Sequence, residues 1–550
     1  MSKNISKLTG RKGLRDNLFD RLKTDAVQNG GAGDAEISDH YFVGKSTLLG
    51  SRSFYDFLDR AHLNKKAWIC NGTSCLCSGD IAGTKSKLEK KLGEGNVGTM
   101  TCLGHCYEAN SFHYQGRNYS GTQMIGTESP RTYEVRCASD TCILTDSNFS
   151  DLVDFQSALE NLFKCDRLTV LSVIKDSALR GRGGAGFPAG LKWESCMQVE
   201  ANTKYVVCNA DEGDPGAFSD RYLLEQQSLR VIFGMVVAGW IAGANEGVVY
   251  IRAEYPESVS TINHFIQALQ SEGLLGDDIL GSNFNFDLMV IEGAGAYICG
   301  EETALIASIE GRRPEVDVRP PFPTIEGLYK QPTILNNVET FAAIQRILDL
   351  GGEAFSAIGT DGSSGTKLVS LDAGFNRPGI IEIEMGMPLS ELIFDFAEGF
   401  RQATKAIHIG GPLGGLVPIE KISELTVDYE TFSQKGFLLG HASLVCIPKS
   451  FPMIRYLEHL FEFTKDESCG KCFPCRLGST RGFEMLQLAA TGERLLDKEL
   501  LTDLLETMEI GSLCALGGGL PLPIKNALQY FEEELSEYFE TDDLIKVKQL

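Results

Sequence analysis

Leu179-Arg-Gly-Arg-Gly-Gly-Ala-Gly-Phe-Pro-Ala-Gly-Leu-Lys-Trp193 decides how this chain of 550 residues is read. Gly181-Arg-Gly-Gly-Ala-Gly186 matches the GxGxxG fingerprint of dinucleotide-binding folds, which needs a strand before it and a helix after it. Neither flank fits. Leu168 to Ala178 has the pattern of a helix, and the glycines run into Phe187-Pro188 rather than a helix. The residues predict a loop whose main-chain N–H groups approach phosphate, with Arg182 and Lys192 adding positive charge. A merely flexible glycine loop is the plainer alternative.

Just downstream, Lys204-Tyr-Val-Val-Cys208 reads as a buried strand ending in Asn209-Ala-Asp-Glu-Gly-Asp-Pro-Gly-Ala-Phe218. Polar side chains at the C-terminal end of such a strand lie where open α/β sheets bind ligands. The same turn could also do no more than cap the helix that follows.

Further on, Glu467-Ser-Cys-Gly-Lys-Cys-Phe-Pro-Cys-Arg476 places three thiols, Cys469, Cys472 and Cys475, at the CxxCxxC spacing that wraps a backbone turn round an iron–sulfur cube. Cys514 is the natural fourth ligand. A two-cluster ferredoxin would carry another Cys and a Pro just after the third thiol, whereas Arg476, Leu477, Gly478 and Ser479 follow here, so one [4Fe–4S] site is expected. Structural zinc is the alternative.

Outward toward the N-terminus, Ala67-Trp-Ile-Cys70 looks like a strand feeding a loop, Cys70-Asn-Gly-Thr-Ser-Cys75 is a Cx4C, and Cys102-Leu-Gly-His-Cys106 is a Cx3C. Two thiol pairs on separate loops suit the two irons of a [2Fe–2S] centre, with zinc again the runner-up. Cys77 reads as a packed thiol. Cys137 and Cys142 have no second pair of their kind and stay unassigned.

Bulk composition bounds the rest. The length allows three or four domains, and 43% hydrophobic with 23% charged residues is ordinary globular composition. A net charge of −23 argues against a nucleic-acid partner. The 16 cysteines fall in ligand-like groups and no signal peptide opens the chain, which points to a cytoplasmic protein. The apolar run Val231 to Ala244, broken by glycines, is too short to enter a bilayer as a span. Residues 1–45 show no sustained periodicity and read as a mobile or partner-ordered arm.

Five motifs together carry a resemblance: the glycine loop, the Asn209–Phe218 turn, Gly293-Ala-Gly-Ala-Tyr-Ile-Cys-Gly-Glu-Glu-Thr303, Pro320-Pro-Phe-Pro323 and Asn336-Asn-Val-Glu-Thr340. From about residue 150 onward the chain resembles the NADH-binding (51-kDa-type) flavoprotein subunit of complex I and its relatives. The Cx4C/Cx3C segment resembles the thioredoxin-like ferredoxin module that accompanies such enzymes. The resemblance implies an α/β multidomain protein: a thioredoxin-like [2Fe–2S] domain over 46–130, a Rossmann-like FMN and NADH domain over 150–355, a small β-grasp domain over 360–440, and a helical [4Fe–4S] bundle over 441–550. The β-grasp segment follows the linker-like Gly359–Gly365 and carries short β-rich runs. The bundle shows helical stripes such as Met453, Tyr456, Leu457 and Leu460, and Ile524, Leu528, Phe531 and Leu535.

By the same resemblance, Gly181, Arg182, Gly183, Lys192, Asn209, Asp211, Glu212, Tyr297, Gly300, Glu301, Asn336, Asn337 and Thr340 match positions that hold FMN. Phe187, Asp214, Glu302, Arg319 and Phe322 match positions around NADH. Aromatic rings offer stacking faces, and an acid beside the adenosine ribose, here Glu302, opposes the extra phosphate of NADPH. One departure is Glu194-Ser195, where a second aromatic commonly follows the Lys-Trp. It implies weaker NADH stacking.

NADH releases two electrons as hydride and a cluster accepts one, so a flavin between them is the minimum machinery. No catalytic acid or nucleophile is required of the protein. The expected function is an NADH-dependent diaphorase subunit of a multisubunit redox complex. Its expected partners are a small thioredoxin-like ferredoxin subunit, a further iron–sulfur subunit, or a hydrogenase, formate dehydrogenase or CoA-ester reductase subunit. The alternative is an electron-relay scaffold with a decayed nucleotide site.

Overall fold

The computed structural model describes residues 13–120, 133–139 and 141–540. Residues 1–12 of the expected arm and 121–130 of the expected first domain lie outside them. In the first sheet β1 (Ala67–Cys70) pairs in parallel with β2 (Val97–Met100) and antiparallel with β3 (Phe112–Tyr114), which turns into β4 (Arg117–Tyr119). Ile69, Val97 and Phe112 meet Leu88 of the helix Ile81–Leu92 on one face. Between this sheet and the next, β5 (Glu134–Cys137) ends at Cys137, which is disulfide-bonded to Cys142.

The second sheet is wholly parallel, with β6 (Tyr205–Ala210), β7 (Glu246–Ile251), β8 (Asp287–Glu292) and β9 (Thr333–Asn337) in the order β8-β7-β6-β9. Val206, Val207 and Cys208 of β6 are all buried, the near-continuous apolar run expected of a parallel strand covered on both faces. Every residue of helix Ser228–Ala242 except Trp240 is buried, so residues 231–239 of the apolar run are core. From β6 the chain moves one way to β7 and β8, then crosses back to lay β9 on the other side. That reversal leaves a crevice beyond the C-terminal ends of β6 and β9.

The third sheet is mixed, adding β10 (Thr366–Leu371), β11 (Gly379–Glu384), β12 (Thr404–Ile409), β13 (Gly415–Pro418) and β14 (Ser443–Pro448) in the order β13-β12-β14-β10-β11-β5. Two expectations are corrected here. The boundary at 440 falls short, because β14 is an interior strand of this sheet with both faces buried. Gly359–Gly365 is no loose linker: Ser363 and Ser364 are buried, and the Ser364 hydroxyl donates to Ser177 O at 2.9 Å.

Two more corrections concern helices. Residues 18–29 and 34–41 of the expected arm are helical and packed. Asn17 caps the first by accepting from Phe19 N at 2.8 Å, while its amide donates to Ile309 O at 2.8 Å. Asn29-Gly-Gly-Ala-Gly33 hides them in the sequence, since Gly30 takes the left-handed conformation that ends a helix. The glycine loop does lead into a helix, Ala189–Gln198, with Pro188 at its N-cap, where a missing N–H costs nothing. The C-terminal part packs helices Met453–Glu467, Phe473–Ala490, Lys498–Gly511 and Pro521–Tyr530. The last predicted stripe breaks at Phe531 and resumes in Glu532–Leu535.

Candidate functional site

The crevice between β6 and β9 gathers polar groups from four segments. Asn209 at the end of β6 sits opposite Asn337 at the end of β9. The Asn209 amide donates to Gly300 O at 2.8 Å, fixing the turn Tyr297–Gly300 over the strand end. Asn337 caps helix Val338–Leu350 through Glu339 N at 2.9 Å and donates its amide to Asp220 Oδ2 at 2.6 Å. Asn336 accepts from Trp193 Nε1 at 2.9 Å, so the helix after the glycine loop is tied to the same strand.

The loop itself closes on its own backbone, Gly181 N donating to Phe187 O at 2.9 Å, and on Thr340, whose hydroxyl accepts from Arg182 N at 2.9 Å. Helix Arg167–Asp176 precedes it, so the strand that a dinucleotide fingerprint requires does not stand before the loop. Gly184 has φ +107°, and a Cβ there would lie 3.6 Å from Gly440 of the third-sheet domain. The loop is thus clasped between two domains. Gly183 lies against Asn337, where an added Cβ would meet the Asn337 Cβ at 3.1 Å.

Three buried polar atoms on residues expected around FMN have no hydrogen-bond partner among the described residues: Arg182 Nη1, Asp211 Oδ2 and Glu301 Oε1, the last lying 3.8 Å from Arg319 Nη2 in an ion pair. Arg182 is almost fully buried, with Nη2 donating to Ser364 O at 2.5 Å, and the free Nη1 is an unmet cationic donor. Burial pushes the Asp211 carboxyl well above the ordinary range. Glu301 uses one oxygen to cap helix Glu302–Ile309, accepting from Thr303 N and Ala304 N at 2.9 Å. Orphaned donors and acceptors beside a glycine-lined cradle fit a ligand with a polar heterocyclic edge and a phosphate, as FMN has. Glu212 does something else. Its carboxylate accepts from Asp220 N at 3.0 Å and Arg221 N at 3.2 Å, capping helix Ser219–Gln226, so the capping role holds for this residue.

The outer side carries the residues expected around NADH. Phe187 and Phe322 are each 54% exposed, presenting ring faces to solvent. Glu302 is ion-paired with Arg319 at 2.5 Å and with Lys192 at 3.4 Å, while Lys192 also donates to Leu335 O at 2.9 Å. Ser195 hydrogen-bonds Thr324 at 3.0 Å, so the residue that departs from the family pattern braces the segment behind Phe322. Asp214 is inward: it accepts from the Tyr297 hydroxyl at 2.7 Å, and Tyr297 N donates to Glu467 Oε2 at 2.8 Å. The Tyr297 ring meets Phe463 edge-on at 4.9 Å. One tyrosine therefore joins the crevice to the helix that ends at the C-terminal thiols.

Cys469, Cys472, Cys475 and Cys514 converge at that helix end, in one cluster with Ile298 and Leu516. Burial, eased by the Ser468 hydroxyl and reinforced by Cys472 and Cys469, raises the Cys475 thiol to about 11. Burial and the Cys475 and Cys469 thiols raise Cys514 to about 12, against a hydrogen bond from Leu516 N. A Cβ on Gly517 would come 2.6 Å from Cys475 Cβ, so only glycine lets the Cys514 loop approach the CxxCxxC turn. Four mutually crowded thiols fit a cluster that takes them as thiolates.

Cys70, Cys75, Cys102 and Cys106 form a second group, each at most 2% exposed. The Cys102 and Cys106 sulfurs are 3.3 Å apart, and Cys70 interacts with both Cys102 and Cys75. Gly104, at φ +67°, donates its N–H to Cys102 Sγ at 3.4 Å, and Gly216 N donates to Cys106 Sγ at 3.2 Å. Gly216 belongs to the turn after β6, so this group touches the crevice from the other side. Cys77 stands apart, packed with Ala406, Leu416 and Ile447.

Comparison with known proteins agrees with this layout. Residues 174–346 match the Nuo51 FMN-binding domain, and residues 455–538 match the NADH-ubiquinone oxidoreductase-F iron-sulfur binding region. NADP-reducing hydrogenase subunit HndC of Solidesulfovibrio fructosivorans is 41% identical over 73% of this chain and 83% of its own. The chain belongs to the Nuo51 flavoprotein family. An NADH-quinone oxidoreductase subunit of Rhizobium meliloti is 39% identical over 68% of this chain and 89% of its own. A chain of the NAD+-reducing [NiFe]-hydrogenase crystallised in the H2-reduced state superposes with a TM-score of 0.83 at 26% identity, covering 96% of this chain and 94% of that one. Two residues of this family member, Asp220 and His441, back onto the crevice through Asn337 without any motif to flag them. Asp220 lies inside a helix pattern and His441 is a lone histidine before a strand.

Proposed function

We propose that the chain is the NADH-dependent diaphorase subunit of a multisubunit redox complex, passing electrons between NAD(H) and two iron–sulfur centres through FMN. The observation that carries this is Tyr297, which bridges Asp214 of the crevice and Glu467 at the mouth of the C-terminal thiols. FMN supplies the conversion of a hydride pair into single electrons. The protein's part is holding and screening. Arg182, Asp211 and Glu301 present unmet polar atoms to the flavin, the glycine loop admits its phosphate, and Phe187 and Phe322 flank the nicotinamide side.

Cys469, Cys472, Cys475 and Cys514 hold the [4Fe–4S] cube in this reading, and Cys70, Cys75, Cys102 and Cys106 a [2Fe–2S] centre in a thioredoxin-like domain. The third sheet serves as the β-grasp domain that closes the glycine loop. Phe473, Leu477, Ile510 and Leu513 are exposed beside the C-terminal thiols, which suits docking of a further iron–sulfur subunit. A hydrogenase, formate dehydrogenase or CoA-ester reductase subunit lies beyond it. Among the described residues no helix is long and apolar enough to cross a membrane, and thiolate clusters suit the reducing cytoplasm.

Glu302, held between Lys192 and Arg319, is the acid expected to oppose the extra phosphate of NADPH, so NADH is the expected nucleotide although one relative is named for NADP. Anaerobic reduction of a viologen dye, scored with released FMN and total iron, tests the reading. Flavin-replete protein should reduce the dye far faster with NADH than with NADPH. Folded, iron-loaded protein lacking flavin would contradict it and favour a relay scaffold.

A further inference from the structure

Behind the flavin crevice lies a buried group of charges that neither flavin, nucleotide nor cluster chemistry needs. His441, 5% exposed, stands just before β14 and reaches from the third-sheet domain into the second. Its Nε2 lies 3.3 Å from Asp220 Oδ2 and its Nδ1 lies 3.8 Å from Glu212 Oε1. Asp220 Oδ2 also accepts from the Asn337 amide at 2.6 Å. The chain of contacts therefore runs from His441 through Asp220 to Asn337, a residue of the crevice. The neighbouring Gly440 is the residue against which Gly184 of the glycine loop packs.

Two carboxylates this deep are costly unless a cation answers them. The hydrogen bonds to Glu212 come from Asp220 N, Arg221 N and the hydroxyls of Ser219 and Tyr255, all neutral donors. Among the described residues the Asp220 side chain accepts from the neutral Asn337 amide besides meeting His441, and neither its Oδ1 nor His441 Nδ1 has a hydrogen-bond partner there. The charged groups facing His441 are Asp220, Glu212, Asp214 and Lys367. Lys367 is itself ion-paired with Glu339, both side chains fully buried, so its charge is already spoken for. Burial opposes an imidazolium at His441, but Asp220 and Glu212 outweigh burial and Lys367 and raise it to about 9.

We propose that His441 is a positioning residue for the flavin site: as a buried cation donated by one domain it holds Asp220, and through Asp220 the Asn337 amide and the glycine-loop clasp of the other. The inference rests on the flavin reading given above. Loss of the proton leaves two carboxylates facing a neutral ring, loosening the clasp and with it the grip on FMN.

FMN release from diluted holoprotein, followed by flavin fluorescence between pH 7 and 10.5, tests this. Wild-type release should speed up as pH rises through about 9. His441→Gln should release FMN roughly tenfold faster at pH 7, with no step near pH 9, because a buried charge-assisted hydrogen bond is gone. The double variant Asp220→Asn with His441→Gln removes the unanswered charge yet keeps an acceptor for Asn337, and should recover most of the retention. Equal release rates and equal pH profiles in wild type and His441→Gln would overturn the inference, as would a flat wild-type profile if the variant does not fold. Wild-type protein isolated without flavin would overturn the flavin reading as well, so the two failures are separable.

Discussion

The two thiol groups differ in what surrounds them. The N-terminal four are sealed, none more than 2% exposed, between the first sheet and the turn after β6 that also carries Asp211 and Asp214. The C-terminal four lie at a helix end, with Cys472 and Cys514 half-buried and Phe473 and Ile510 exposed at 67% and 86% beside them. A sealed group suits electron exchange within its own chain, and one at an apolar rim suits exchange with another. The contrast teaches that the same residue type in similar spacing is set in two different environments by burial.

The contrast can be broken most sharply at the ligands. Cys475→Ser should lower iron from about six to about two per chain and abolish electron delivery to a partner, while Cys102→Ser should leave about four, with the flavin still reduced by NADH in both. Iron analysis and spectroscopy check this, and loss of all iron from either variant would erase the distinction. A step smaller, Gly104→Val places a side chain into the Tyr255 ring, 2.5 Å from a bare Cβ, at φ +67°. It should destabilise the first domain by roughly 3 kcal/mol or more and cost only the N-terminal iron, as read by thermal unfolding and iron content.

The pH dependence sharpens the comparison from the flavin side. His441 has a folded pKa raised above that of a free imidazole, so its stabilisation is complete below about pH 6.5 and is lost as pH rises through about 9. Denaturant unfolding should show a loss of roughly 2–3 kcal/mol between pH 7 and 10, absent in His441→Gln. The smallest effect is expected at Glu302. Glu302→Gln removes the acid proposed to oppose an added phosphate and frees Arg319, its 2.5 Å partner. Discrimination between NADH and NADPH should fall by roughly tenfold in kcat/KM, with the maximal NADH rate little changed.

Much of this is legible in the sequence where spacing is dictated by chemistry. CxxCxxC and the paired thiols mark candidate ligand sets without knowledge of packing, and β6 is marked by its apolar run and polar terminus. What stays hidden depends on tertiary contact. Glu212 looks like a ligand residue in the Asn209–Phe218 turn, yet its carboxylate caps a helix. The N-terminal helices are masked by glycines that end a helix as readily as they loosen a chain. Pro188 looks like a barrier to the helix that it in fact opens. β5 joins a sheet whose other strands begin only at Thr366, so no local pattern marks that sheet's limits. His441 and Asp220 are 221 residues apart, and only the fold brings them together.

The central claim is that hydride electrons entering at the crevice pass one at a time to both thiol groups. Anaerobic titration of the native protein with NADH, followed by flavin absorbance and low-temperature electron paramagnetic resonance, tests it most directly. The account expects the flavin to bleach and two distinct iron–sulfur signals to grow, one of which disappears in Cys102→Ser and the other in Cys475→Ser. A bleached flavin with both sets of iron left oxidised would contradict it.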